Sequence, residues 1–119
     1  MENNQIIKHE GGSLQRVGNA ISITNKLLEL GKKPNTSKLM DSAIKEEDCN
    51  HYDNAIKIFS TVIDIELEFG DIEDSPCAYC WRGNLKQKLN DYEGAINDWR
   101  MACKLGISDA DKLLEKYCK

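Results

Sequence analysis

Apolar residues recur three and four positions apart along most of the chain, the spacing that lines one face of an α-helix. Leu14, Val17, Ile21 and Leu28 share one such face, and Ala20, Ile23, Leu27 and Leu30 form a second stripe beside it. A wide-faced, largely buried helix is therefore predicted from a Ser13 cap to Gly31, where Lys32, Lys33 and Pro34 supply terminal cations and a breaker. A second helix is expected from Asn35–Ser37 through Leu39, Met40, Ala43 and Ile44 to about Cys49, with a turn at Asn50 and His51. The third carries Tyr52, Ala55, Ile56, Phe59, Val62 and Ile63 and continues to Phe69 before Gly70, leaving Asp71 to Asp74 as an acidic loop. Ser75 and Pro76 open a fourth helix that runs to about Leu89: serine can accept an amide hydrogen bond and proline is pre-set for a first turn. After a turn at Asn90 and Asp91, the fifth places Tyr92, Ala95, Ile96, Trp99, Ala102 and Cys103 at the third helix's spacing and stops at Gly106. Ser108 or Asp109 caps a last helix with Leu113, Leu114 and Tyr117 on its apolar side, while polar residues 1–12 read as a flexible arm. The expected fold class is all-α, with about six helices.

Composition narrows this picture. At 119 residues the chain suits one domain with a real core, and two prolines with eight glycines leave little sequence for anything but long helices. No apolar run reaches the roughly 18 residues a membrane helix needs, and Met1 to Gly12 lacks a signal-peptide core, so a cytoplasmic protein is expected. Five cysteines, an odd number scattered through helical sequence, fit reduced thiols better than a disulfide framework. The net charge of −4 is unevenly spread: positions 41–74 hold the acidic excess. With no basic stripe to displace counterions, nucleic acid is not an expected partner.

The most informative signal is internal. Tyr52-Asp53-Asn54-Ala55-Ile56 overlays Tyr92-Glu93-Gly94-Ala95-Ile96, and each is followed four residues after the alanine by an aromatic, Phe59 or Trp99. The alanine lets two antiparallel helices approach, the tyrosine wedges the turn, and the aromatic fills the space between successive hairpins; each hairpin alone would leave an apolar face wet. These residues resemble the tetratricopeptide repeat, a helix-turn-helix unit of about 34 residues. Tyr79, Gly83, Tyr92, Ala95, Trp99 and Ala102 take the family positions in a unit spanning 75–107, and Leu39, Ala43, Tyr52, Ala55, Phe59 and Val62 take them more loosely in one spanning 36–74.

Two departures stand out. The alanines lie 40 residues apart, so six extra residues must lengthen the third helix or the loop around Glu66 to Asp74, and Ile107 replaces the family's proline after the second helix. Ala20 precedes Ala55 by 35 residues, so the segment 13–34 is expected to act as a half-repeat capping the first hairpin, with 108–119 capping the second. The resemblance implies a right-handed superhelix of antiparallel hairpins within a single domain, 13–119.

It also implies a non-catalytic scaffold. The first helices of successive hairpins would line a concave groove for a peptide or partner protein, formed by Ser37, Met40, Ile44, Glu47 and Asp48 with Cys77, Cys80, Asn84, Gln87 and Lys88. Family members that clamp the C-terminal carboxylate of heat-shock chaperones use a lysine and an asparagine on the first groove helix; Met40 and Ile44 stand there instead. With two full units, fewer than the three usually stable alone, self-association is an open alternative.

The sharpest chemical alternative is Cys77-Ala-Tyr-Cys80, whose spacing suits redox or metal sites and whose place in a helix's first turns could lower a thiol pKa. Small residues on one helix face give the same spacing. Adding Cys49 and His51 would complete a zinc set, but the repeat puts those two at the opposite end of a helix, roughly 20 Å away. His9 and His51 have no nucleophile placed beside them, Asp64 to Asp74 lack a calcium-loop pattern and read as a solvated face or a patch for a basic partner, and Trp81 and Trp99 read as packing residues. No metal or cofactor is expected.

Overall fold

The structure is a computed structural model in which residues 18–117 are described. The predicted arm at 1–12, the Ser13 cap, Leu14, Val17, His9 and Cys118 lie outside them. The described residues form six helices and no strand: α1 over 18–29, α2 Thr36–Asp48, α3 Tyr52–Phe69, α4 Ser75–Lys88, α5 Tyr92–Lys104 and α6 Asp109–Tyr117. The chain divides into two compact units, 1–35 and 36–119. None of the helices is long and apolar enough to cross a membrane.

In the first unit α1 unwinds through a left-handed Gly31 (φ 70°), and the Lys32 amide reaches back to the Leu27 carbonyl at 2.9 Å. Here the sequence pattern overstated burial. Ile23 and Leu30 are 62% and 64% exposed, so the second apolar stripe is not a core face along its whole length.

In the second unit each helix packs on the next in the chain, α2 on α3, α3 on α4, α4 on α5 and α5 on α6. The core is the predicted repeat: Ala43, Ala55, Phe59 and Val62 from the first hairpin, and Ala95, Trp99 and Ala102 from the second, are all at most 1% exposed. Methyl-sized alanine at the crossings lets the axes approach until the aromatic beyond fills the gap. At Gly83 even a methyl is excluded, because a Cβ there would lie 2.7 Å from Cδ1 and Nε1 of Trp99 and 3.1 Å from the Ala95 carbonyl oxygen. Trp81 stacks on Phe59 with ring centres 6.2 Å apart and joins the two hairpins.

The two hairpin turns are the same object, 40 residues apart. Asn50 and Asn90 adopt φ of 63° and 66°, a left-handed conformation that asparagine tolerates better than most side chains. The amide of His51 bonds the Glu46 carbonyl at 2.8 Å, and that of Asp91 bonds Lys86 at 2.8 Å. Tyr52 and Tyr92 then donate their hydroxyls to Oδ1 of Asn50 and Asn90, at 3.1 and 3.3 Å. The tyrosine that was expected to wedge the turn also bonds it.

The six extra residues are now located. Five of them extend α3, which has 18 residues against 13 in α5, and the sixth lies in the connection, 70–74 against 105–108.

Candidate peptide-binding face

The extra turn of α3 carries Glu66, which is fully buried. Its carboxylate accepts the Asp74 amide at 2.9 and 3.0 Å and the Ser75 amide at 2.6 Å. These are among the amides at the start of α4 that no helical carbonyl can reach, and a carboxylate there also meets the positive end of the helix dipole. The Ser75 cap expected from sequence is thereby replaced: Ser75 is the first helical residue, Asp74 precedes it without a side-chain cap, and Glu66 reaches in from the preceding helix. Asp74 in turn accepts the Thr36 hydroxyl at 2.6 Å and lies 3.4 Å from that of Ser37, tying the start of α2 to the start of α4.

A second polar cluster joins α3, α4 and α5. Arg82 donates to both oxygens of Asp98, from Nε at 2.8 Å and Nη2 at 2.6 Å, and from Nη1 to the Ser60 hydroxyl at 3.0 Å. Lys86 adds a contact to Asp98 at 3.1 Å. The Asp98 side chain is 4% exposed, and the Arg82 guanidinium sits over the Tyr79 ring at 5.4 Å. Burial alone would lower the Arg82 pKa, but the hydrogen bond and charge of Asp98 outweigh it and raise the value above its usual one.

Neither cluster was anticipated from the sequence, although both left a trace there. Glu66 stands four residues after Val62 and Asp98 three after Ala95, each an acid inside the apolar register of its helix. An ionisable residue on a buried stripe calls for a partner.

The expected groove residues are distributed unevenly. Ser37, Asp48, Cys77 and Lys88 are exposed, and Ile44, Glu47, Cys80, Asn84 and Gln87 are half-buried. Met40 is only 8% exposed and belongs to the core, because its position lies on the buried side of α2 with Leu39 and Ala43. Asn84 accepts a hydrogen bond from Trp99 Nε1 at 3.1 Å, so it ties α4 to α5. Lys88 draws the ends together: its ammonium lies 5.4 Å from the Tyr52 ring centre and its charge offsets the burial that raises the Glu47 pKa. Ser37, Glu47, Asp48, Gln87 and Lys88 thus give α2 and α4 a mixed polar surface.

The cysteine pair behaves differently from an activated thiol. Burial pushes the Cys80 thiol above its ordinary pKa, with Cys77 and Asp109 adding to the rise, whereas a reactive thiol needs a lowered one. Cys103, donating to Asp111 at 3.1 Å, is pushed up to about 11 by desolvation and by that bond. Cys49, Cys77, Cys80 and Cys103 are all free thiols. Among the described residues no group of three or more His, Cys, Asp or Glu side chains is arranged to hold a metal ion. His51 Nδ1 lies 3.3 Å from the buried Glu46 carboxylate, which fixes the ring at the first turn.

No protein-family model matches the chain, and neither a curated protein nor a solved structure does.

Proposed function

We propose that this chain is a protein-interaction scaffold of the tetratricopeptide-repeat kind, holding a peptide or partner protein along the outward face of α2 and α4. The observation that carries the reading is the 40-residue recurrence of one hairpin, down to the left-handed asparagine, the tyrosine bond to it, the buried alanine and the buried aromatic. A repeated hairpin presents its first helices in register, and register is what an extended ligand needs. The face is built for contacts rather than chemistry: Ser37, Ile44, Glu47, Asp48, Gln87 and Lys88 offer hydrogen bonds, one aliphatic surface and charges of both signs, on rigid helices.

Affinity capture with the wild-type chain and with an Ile44→Glu, Gln87→Glu, Lys88→Glu variant tests the proposal. A partner retained by the first and lost by the second, with both variants equally helical by circular dichroism, is the expected outcome. Retention by both would remove this face as the binding site.

A further inference from the structure

The groove face is not the only surface with room for a ligand. At the far side of the second unit, the added turn of α3, the 70–74 loop, the start of α4 and the last turn of α5 enclose an open cleft of about 220 Å³. Its walls are mainly apolar, from Leu67, Ile72, Tyr79, Met101 and Leu105, and Glu66 also lines it with its carboxylate already bonded to the Asp74 and Ser75 amides. An apolar cavity of about 150 Å³ admits a benzene ring, so this one has room for a bulky side chain. Leu67 and Ile72 at its mouth are 69% and 65% exposed. Single exposed aliphatics are ordinary; two of them flanking an apolar cleft mark a place where something docks.

The charge around the cleft is lopsided. From Ile58 to Asp74 there is no lysine or arginine, and Asp64, Glu66, Glu68, Asp71, Glu73 and Asp74 fall within that stretch. Glu68 is exposed next to Leu67, and Asp71 lines the cleft itself. The opposite wall, on α5, is formed by the uncharged Met101 and Leu105. The charged residues that line the cleft, Glu66 and Asp71, thus stand on its α3 side.

We propose that this cleft is a second docking site, separate from the α2–α4 face, for a linear segment of a partner protein that inserts one bulky apolar side chain with lysine or arginine next to it on the α3 side. The apolar side chain supplies the affinity by covering Leu67 and Ile72, and the bases fix its direction against Glu68 and Asp71. The five residues that lengthen α3 make the site: an α3 as short as α5 would lack Leu67 and the wall it forms.

The test uses the full chain and three short fluorescent peptides: one tryptophan flanked by lysines, the same with glutamates for lysines, and the lysine peptide with glycine for tryptophan. Anisotropy should give the first an affinity about tenfold or more above the other two. Amide shifts in nitrogen-15 spectra should centre on Gly70, Ile72 and Leu105 and leave Ser37 and Gln87 in place. Leu67→Gln should weaken the first peptide by about tenfold with an unchanged melting temperature, Glu68→Lys by about threefold, and Lys104→Glu not at all. Equal binding of the glutamate peptide, no binding of any peptide, or shifts centred on α2 and α4 would each overturn the proposal. So would a concentration-dependent doubling of mass in light scattering that Leu67→Gln abolishes, since a second copy would then fill the cleft. Because the readout separates the two faces, failure here leaves the groove reading to its own test.

Discussion

The two hairpins of the second unit differ at one end and agree at the other. At their turns, Asn50 with Tyr52 and Asn90 with Tyr92 make the same bonds in the same conformation. Away from the turns each hairpin is secured by its own polar device: a Glu66 carboxylate that reaches across to cap α4 in the first, an Arg82–Asp98–Lys86 cluster that locks α4 to α5 and reaches Ser60 in the second. The difference teaches that the repeat fixes backbone geometry and apolar register, while the attachment of one hairpin to the next is individual. Apolar contacts could slide by a turn at little cost, and a buried charge with a single set of partners cannot.

That division can be broken most directly at Asp98. Removing one partner of a buried pair strands the other charge, so Asp98→Ala should cost about 3–5 kcal/mol. Asp98→Asn, which keeps the shape and one acceptor, should cost clearly less. Chemical denaturation with circular dichroism reads both, and a loss below about 1 kcal/mol for the alanine variant would show that solvent already screens the pair. Glu66→Ala comes next, at about 2–4 kcal/mol, because two amides at the start of α4 lose their acceptor in a site closed to water. Its signature is local: hydrogen exchange should quicken at Asp74 and Ser75 before it does in α5. Uniform acceleration through the unit would mean that Glu66 supports the core generally rather than the start of α4.

Much of the fold was legible because it rests on spacing. The ends of α2 to α5 fall within a residue or two of where the apolar periodicity, Gly70, Pro76 and the two asparagines put them. The six-residue irregularity was visible as a number, and Gly70 marked where the longer helix ends, but no propensity signals the Glu66 carboxylate aimed at the next helix's amides. Asp98 and Arg82 were hidden for a related reason: their sixteen-residue separation carries no local pattern, and only the antiparallel return of α5 brings them together. Met40 misled because a position on the ligand-facing side of an idealised hairpin turned out to lie on the buried side of α2. The cleft was foreshadowed only by the acidic run around it, since exposure of Leu67 and Ile72 is a property of the packed chain.

A subtler difference between the hairpins lies in the crossing residue. Position 43 is alanine opposite a hairpin whose aromatic is Phe59, and the matching position 83 is glycine opposite Trp99. The larger ring takes the space that the alanine methyl would use, as the 2.7 Å approach to Trp99 requires. Gly83→Ala should therefore destabilise by about 1–3 kcal/mol through overpacking. In a Trp99→Phe background the same change should cost less, giving a coupling energy of at least about 0.5 kcal/mol in a double-mutant cycle. Strict additivity would mean that the strain falls on the Ala95 carbonyl and not on the ring.

The smallest expected effects test the half of the comparison that is a likeness. Asn50→Ala and Asn90→Ala each remove the acceptor of a tyrosine hydroxyl and leave at a left-handed position a residue that tolerates it less well than asparagine, which costs about 1 kcal/mol. If the turns are energetic as well as geometric copies, the two losses should agree within about 0.5 kcal/mol, even though Tyr52 also carries the Lys88 ammonium over its ring and Tyr92 is 46% exposed. A larger loss at Asn50 would assign the excess to that cation contact, because moving the Tyr52 ring would also move the surface under Lys88. Lys88→Met separates the two: it should bring Asn50→Ala down to the value found at Asn90 and leave Asn90→Ala unchanged.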